Sequence, residues 1–243
     1  MSAAASMSGD KAGAEVVGVN CWNCQQPAKG AHFCPGCGKI QPLSRSVSYF
    51  EFLGLPKKLQ IDGEALEQKF QMLSWKLHPD NFTRAGESER NLSLERSSEL
   101  NDAYRTLRDP VTRVEYLLAH EGMRKEGTTK QQADPELLEE VFELNEALDE
   151  LREGRESGES PEQLAELRGK LQEAQEQFQS ELNKTDERLV ETFGEWDKAI
   201  DRKEEPEQKK ERLEELMGEM NEILNRRSYI RNLVASVSKE LEV

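Results

Sequence analysis

Apolar residues recur every three or four positions along most of this chain, the spacing of helices that each bury one face. The first run is short: Tyr49, Phe50, Phe52, Leu53 and Leu55, closed by Gly54 and Pro56, predict a brief helix and a turn. Asp62 then stands where it can cap a helix that carries Leu66, Phe70, Leu73 and Leu77 on one face. That helix stops at His78-Pro79-Asp80, because a proline disfavours the helical region for the residue before it. A second long run from about Glu87 to Leu107 returns Leu100, Ala103, Tyr104 and Leu107 as its stripe, which predicts two antiparallel helices. Asp109-Pro110 opens another helix, with an N-cap and a first-turn proline, carrying Val114, Leu117 and Leu118.

Beyond Gly122 and a polar stretch from Arg124 to Ala133, three more runs follow, separated by Gly154 to Pro161 and by a hinge around Arg202 to Pro206. The first uses Leu137, Val141, Leu144, Leu148 and Leu151. The second uses Leu164, Leu167, Leu171, Phe178, Leu189, Phe193 and Trp196, and the third Leu213, Leu216, Met220, Ile223, Ile230, Val234 and Val237. Seams of this kind predict a three-helix bundle.

Composition narrows the function classes. Of 243 residues, 33% are charged and only 6% aromatic, which suits thin helices with narrow seams rather than one thick core around an enzyme-sized pocket. A net charge of −15 repels phosphate backbones and anionic lipid, and the chain has no Lys and Arg cluster to offset it. No nucleic acid or membrane partner is expected, and no stretch approaches the ~18 apolar residues of a membrane span. The first 20 residues lack Arg and contain Asp10 and Glu15, so they match an Arg-rich transit peptide poorly and read as a flexible tail.

All four cysteines fall in one 17-residue window, as Cys21-Trp-Asn-Cys24 and Cys34-Pro-Gly-Cys37 with nine residues between the pairs. Two C-x2-C knuckles bring four thiolates to one tetrahedral ion, with Gly36 and Gly38 easing the second turn. Zn²⁺ is the expected ion. A closed set of four protein ligands leaves no position for water, so the site is structural rather than hydrolytic. Disulfides would need an oxidising compartment and bridge near neighbours badly. His32, inside the window, reads as an exposed loop residue and not as a fifth ligand.

Two surfaces stand apart from the seams. The proline of His78-Pro79-Asp80 presents the flanking His and Asp at an exposed loop tip. Lys69 and Lys76, nearly in register on the helix before it, form either a solvated face, which spacing alone favours, or a contact for an acidic partner. Leu138 and Phe142 lie one position off the first bundle seam, with Glu143, Glu146 and Glu150 continuing along that side. That arrangement is either a protein-binding patch or a helix buried on two sides.

Tyr49-Phe50 through Leu55, Phe70 with His78-Pro79-Asp80, and Asn101 to Pro110 followed by Arg113-Val-Glu-Tyr-Leu-Leu118 resemble the J domain of the HscB family of iron–sulfur co-chaperones. The paired Cys knuckles are similar to those of its eukaryotic members. The resemblance implies that His78, Pro79 and Asp80, with Lys69 and Lys76, engage a DnaK/Hsp70-type ATPase chaperone and stimulate it. Glu64 and Glu67 make the basic face of that helix sparse. The resemblance also implies that Leu138, Phe142, Glu143, Glu146, Glu150 and Tyr229 contact an IscU-type scaffold on which clusters are built. Glu139 departs from the family, where that position is usually apolar. A mitochondrial matrix location follows from the resemblance, with the cytoplasm as the alternative.

The expected molecule is all-α: a tail (1–20), a four-cysteine zinc module (21–44), a J domain (45–121), a linker (122–133) and a three-helix bundle (134–243). It is expected not to be an enzyme, having no Walker A sequence and no Gly-rich phosphate loop. Two other readings are weaker. A general J protein for unfolded clients calls for a Gly/Phe-rich linker, and a zinc-ribbon nucleic-acid protein conflicts with the charge. The zinc module has two open uses, packing on the J domain or joining two copies as a homodimer.

Overall fold

The computed structural model describes residues 20–28, 31–42, 47–124 and 135–242, with the side chains of 135–140 outside the description. Among the described residues the fold is all-α: α1 (Tyr49–Phe52), α2 (Gly63–Leu77), a 3₁₀ turn (Pro79–Phe82), α3 (Glu87–Arg108), α4 (Pro110–His120), α5 (Pro135–Ser157), α6 (Pro161–Asp201) and α7 (Pro206–Leu241). Two isolated bridges, Asn20 with Pro27 and Phe33 with Ile40, frame the cysteine module. No described helix is long and apolar enough to cross a membrane.

Cap chemistry sets most boundaries. Asp62 Oδ1 accepts from the amides of Glu64 (2.9 Å) and Ala65 (3.3 Å) at the start of α2. Asp109 Oδ1 accepts from the Thr112 amide at 2.8 Å, with Pro110 as the first residue of α4. Ser48 with Glu51, and Ser160 with Gln163, form reciprocal capping boxes. One boundary differs from expectation: α5 continues through Gly154 to Ser157. A Cβ at Gly154 would lie 3.0 Å from Leu164 Cδ2, so the glycine admits the start of α6 rather than ending α5. The turn itself uses Gly158, at φ +75°.

The chain forms two compact units, one within Met1–Val47 and Gln71–Asn101, the other within Ser48–Phe70 and Asp102–Val243. In the second unit, Leu144, Leu148 and Leu151 of α5 pack with Leu171, Phe178 and Leu182 of α6 and Ile230, Leu233 and Val237 of α7. Leu224 and Leu233 are buried although the expected seam omitted them, while Ile223 and Val234 are half-buried. Helix α7 packs along α6 but reaches α4 and α5 as well, so its buried face is wider than one seam.

The loop before α2 is fastened to the end of α6. Trp196 Nε1 donates to the Lys57 carbonyl at 2.9 Å, and the buried Asp197 carboxylate accepts from the amides of Leu59 (2.7 Å) and Gln60 (3.0 Å). Arg113, also buried, donates to the carbonyls of Leu59 and of Leu107. Phe70 stacks on Tyr104 at 4.2 Å between ring centroids, pairing α2 with α3 in this unit. In the first unit the same two helices pair through hydroxyls: Ser93 and Ser97 donate to the Leu77 carbonyl at 2.6 and 3.0 Å.

Candidate metal centre and docking surfaces

The two knuckles repeat one turn. Gln25 and Gly38, each following the second cysteine of its pair, donate to the carbonyls of Cys21 and Cys34 at 2.9 Å and take positive φ values of 62° and 70°. Amides point at sulfur: Asn23 and Cys24 at Cys21 Sγ (3.4 and 3.5 Å), Gly36 at Cys34 Sγ (3.4 Å). The four cysteines are unbridged, and their Sγ atoms lie within 4.8 Å of one another. Cys21–Cys37 and Cys24–Cys34 are both 3.6 Å apart. A tetrahedron with bonds of ~2.3 Å, the zinc–thiolate length, has edges of about 3.8 Å, so the quartet is close enough to hold one metal ion.

The electrostatics agree with that fit. Burial opposes ionisation of Cys21, yet the Cys24 and Asn23 amides and the neighbouring thiols outweigh it and bring the thiol down to about 6. At Cys24 the Gln26 amide favours the thiolate, but burial and the other three thiols prevail and push it up to about 12. Four such groups in one place need a cation to ionise together.

His32 is not the exposed loop residue expected. It is half-buried, and its Nδ1 lies 2.8 Å from Nη2 of the buried Arg96 on α3. The sequence offered no sign of this, because Arg96 sits in a polar stretch of α3.

At the proline, His78 caps the 3₁₀ turn, its Nδ1 accepting from the Asp80 amide at 3.3 Å and lying 3.5 Å from Asp80 Oδ2. Asn81 Nδ2 donates back to the Trp75 carbonyl at 2.6 Å, and Phe82 is buried beneath the turn. The side chains of His78 and Asp80 are 55% and 85% exposed, so the tip is braced by backbone contacts while both side chains face solvent. Lys76 is exposed. Lys69 is half-buried, and its Nζ donates to the Gly54 carbonyl at 2.9 Å after α1. Met72 and Trp75 are also exposed, Trp75 at 74%, and the sequence reading assigned them no role. Their position outside the Leu66, Phe70, Leu73 and Leu77 stripe is the signal that could have found them.

On α5, Phe142 is 65% exposed and Glu143, Glu146 and Glu150 are exposed, which removes the reading of a helix buried on both sides at that residue. The side chain of Leu138 lies outside the described residues, as do those of Leu137 and Glu139. Tyr229 is half-buried against the bundle core, and burial raises its phenol above the ordinary value. Glu143 also borders a groove of about 710 Å³ between α5 and α6, floored by Leu144, Leu171 and Phe178.

Residues 48–116 match the DnaJ domain family. The co-chaperone protein HscB homolog of Vibrio parahaemolyticus is 41% identical over 105 residues, 43% of this chain and 61% of that protein. The chain is a homologue of the HscB co-chaperones. The iron-sulfur cluster co-chaperone protein HscB homolog of Arabidopsis thaliana is 39% identical over 135 residues, 55% of this chain and 52% of that protein. The match thus spans between half and two thirds of these curated relatives' own length. Among solved structures, human co-chaperone protein HscB superposes with a TM-score of 0.56 at 25% identity, covering 90% of this chain and 97% of that one. Chaperone HscB from Vibrio cholerae gives 0.50 at 25% identity, over 79% and 96%. The HscB likeness therefore reaches beyond the J domain into α5, α6 and α7.

Proposed function

We propose that this HscB homologue is an adaptor co-chaperone that binds an IscU-type iron–sulfur scaffold, delivers it to a DnaK/Hsp70-type chaperone and stimulates that chaperone's ATPase. The observation that carries the reading is the His78-Pro79-Asp80 turn, whose His and Asp side chains face solvent within a matched J domain. Such a turn offers the chaperone a fixed His and Asp at little ordering cost. Met72, Trp75 and Lys76 add an apolar and basic contact on the preceding helix, with Lys69 serving mainly to close α1. The scaffold is assigned to Leu138, Phe142, Glu143, Glu146 and Glu150 on α5, with Tyr229 supporting that face from α7. Joining both sites in one chain raises the effective concentration of scaffold at the chaperone.

The chain supplies no chemistry of its own in this reading, and hydrolysis belongs to the chaperone. The cysteine quartet holds Zn²⁺ as a structural ion, and the mitochondrial matrix is the working compartment. The test compares three purified proteins in an ATPase assay with a DnaK-type chaperone and in titrations with the scaffold. His78→Gln abolishes stimulation and keeps scaffold affinity. Leu138→Ala with Phe142→Ala keeps stimulation by the co-chaperone alone and weakens scaffold binding by about tenfold or more. Full stimulation by His78→Gln would remove the turn from the mechanism.

A further inference from the structure

The first half of α3 buries a polar stripe where an amphipathic helix would bury an apolar one. Glu89, Ser93 and Arg96 fall on one face, at 7%, 0% and 1% exposure, before Leu100, Ala103 and Leu107 resume the apolar pattern. Buried polar groups need partners, and these find theirs in two places. Lys39, two residues after Cys37, places Nζ 2.6 Å from Glu89 Oε2. His32, two residues before Cys34, accepts at Nδ1 from Arg96 at 2.8 Å, since a guanidinium only donates. One turn along from Glu89, Ser93 donates to the Leu77 carbonyl, as does Ser97. Leu77 is the last residue of α2, and its carbonyl is among those without an acceptor role inside their own helix. The next residue is His78.

We infer that the metal-loaded cysteine module is a positioning element for the His78-Pro79-Asp80 turn, acting through Lys39–Glu89 and His32–Arg96 to hold α3, whose Ser93 and Ser97 hold the end of α2. The compact unit to which these residues belong agrees with this. It joins the module to Gln71–Asn101, the stretch that contains the turn, and excludes the first part of α2 and the last of α3. The module's own buried cluster is Cys21, Ala28 and Cys34, with Ile40 and Gln41 buried beside it, too little apolar surface to hold its shape without an ion at the four thiolates. Without the ion, Lys39 and His32 leave their places, Glu89 and Arg96 become costly to keep buried, and the two serine bonds to Leu77 loosen. Its functional consequence rests on the docking role proposed above for the turn.

The experiment is hydrogen exchange on the full chain, read by mass spectrometry over residues 74–97 and over 171–237 as the internal control, in the absence of any chaperone. The zinc-loaded protein is compared with the chelated protein, with Lys39→Glu, and with Lys39→Glu combined with Glu89→Lys, after metal content is measured. Chelation is expected to raise exchange over 74–97 by about tenfold or more and to leave 171–237 unchanged. Lys39→Glu does part of this at full zinc content, and the charge swap restores protection, which a general loss of folding would not allow. Unchanged exchange over 74–97 on chelation, or in Lys39→Glu, overturns the positioning role. In the ATPase assay, Lys39→Glu raises the co-chaperone concentration for half-maximal stimulation and keeps the maximum. Altered exchange with unaltered stimulation leaves the positioning role standing and removes the docking role of the turn.

Discussion

The two compact units bury different things. The unit of Ser48–Phe70 and Asp102–Val243 is held by interlocking apolar seams, with Leu144, Leu148 and Leu151 set against Leu171, Phe178, Ile230 and Val237. The unit of Met1–Val47 and Gln71–Asn101 buries Leu73, Leu77, Phe82 and Leu100 but sets Glu89, Ser93 and Arg96 of α3 among them, and its module buries only Cys21, Ala28, Cys34, Ile40 and Gln41 among the described residues. An apolar seam is forgiving in detail, because many contacts share the energy. A polar stripe beside a small module depends on a few partners, each of which must be in place. The expected consequence is that removing an ion from the four cysteines loosens the unit that contains them and spares the other, a difference that experiment can separate.

The largest test of that contrast is the ion. Chelation, or Cys34→Ser, removes a binding free energy of ~10–16 kcal/mol from the module. The expected result is loss of the near-ultraviolet signal of Trp22, whose Nε1 donates to the Ile40 carbonyl at 2.7 Å, while the main helical melt at 222 nm persists. A single coincident collapse of both signals would break the comparison. Next in size is Leu151→Ala, at a wholly buried position in the bundle seam. It should cost about 2–5 kcal/mol in urea denaturation and leave zinc content unchanged. Smallest is the acid dependence of the bundle end. The Arg152 guanidinium, with Arg155 adding to it, holds the Glu240 carboxyl below the ordinary carboxylate range. Because the folded value is the lower one, this contribution is present above the ordinary carboxylate value and fades as pH falls through the folded one. Glu240→Gln should therefore flatten the acid limb of the stability profile slightly, and chelation should not alter that limb.

Much of the fold was legible because helix ends are decided locally. Asp62 and Asp109 cap amides within a few residues of themselves, Pro110, Pro161 and Pro206 each take the first position of a helix, and those helices open where the sequence places them. Gly154 was misread because its effect depends on Leu164 across the turn and not on its own backbone. Of the sites, the thiolate quartet and the exposed turn were readable from spacing and from the proline. The bond from Lys69 to the Gly54 carbonyl was not, because its acceptor lies outside the helix-two sequence. Trp75 escaped notice since an aromatic residue in a helix suggests burial, and only the packing of Leu73 and Leu77 on the other side leaves it out.

By itself, the amino-acid order determined where helices begin, most of the residues that line each seam, and that four sulfurs can meet, all of which follow from interactions spanning a few residues or from a fixed period. Tertiary structure alone decided which polar groups go inside. Glu89 is matched by a lysine 50 positions away and Arg96 by a histidine 64 positions away. Pairings at such distances are set by how chain segments fold against each other, and no local period records them.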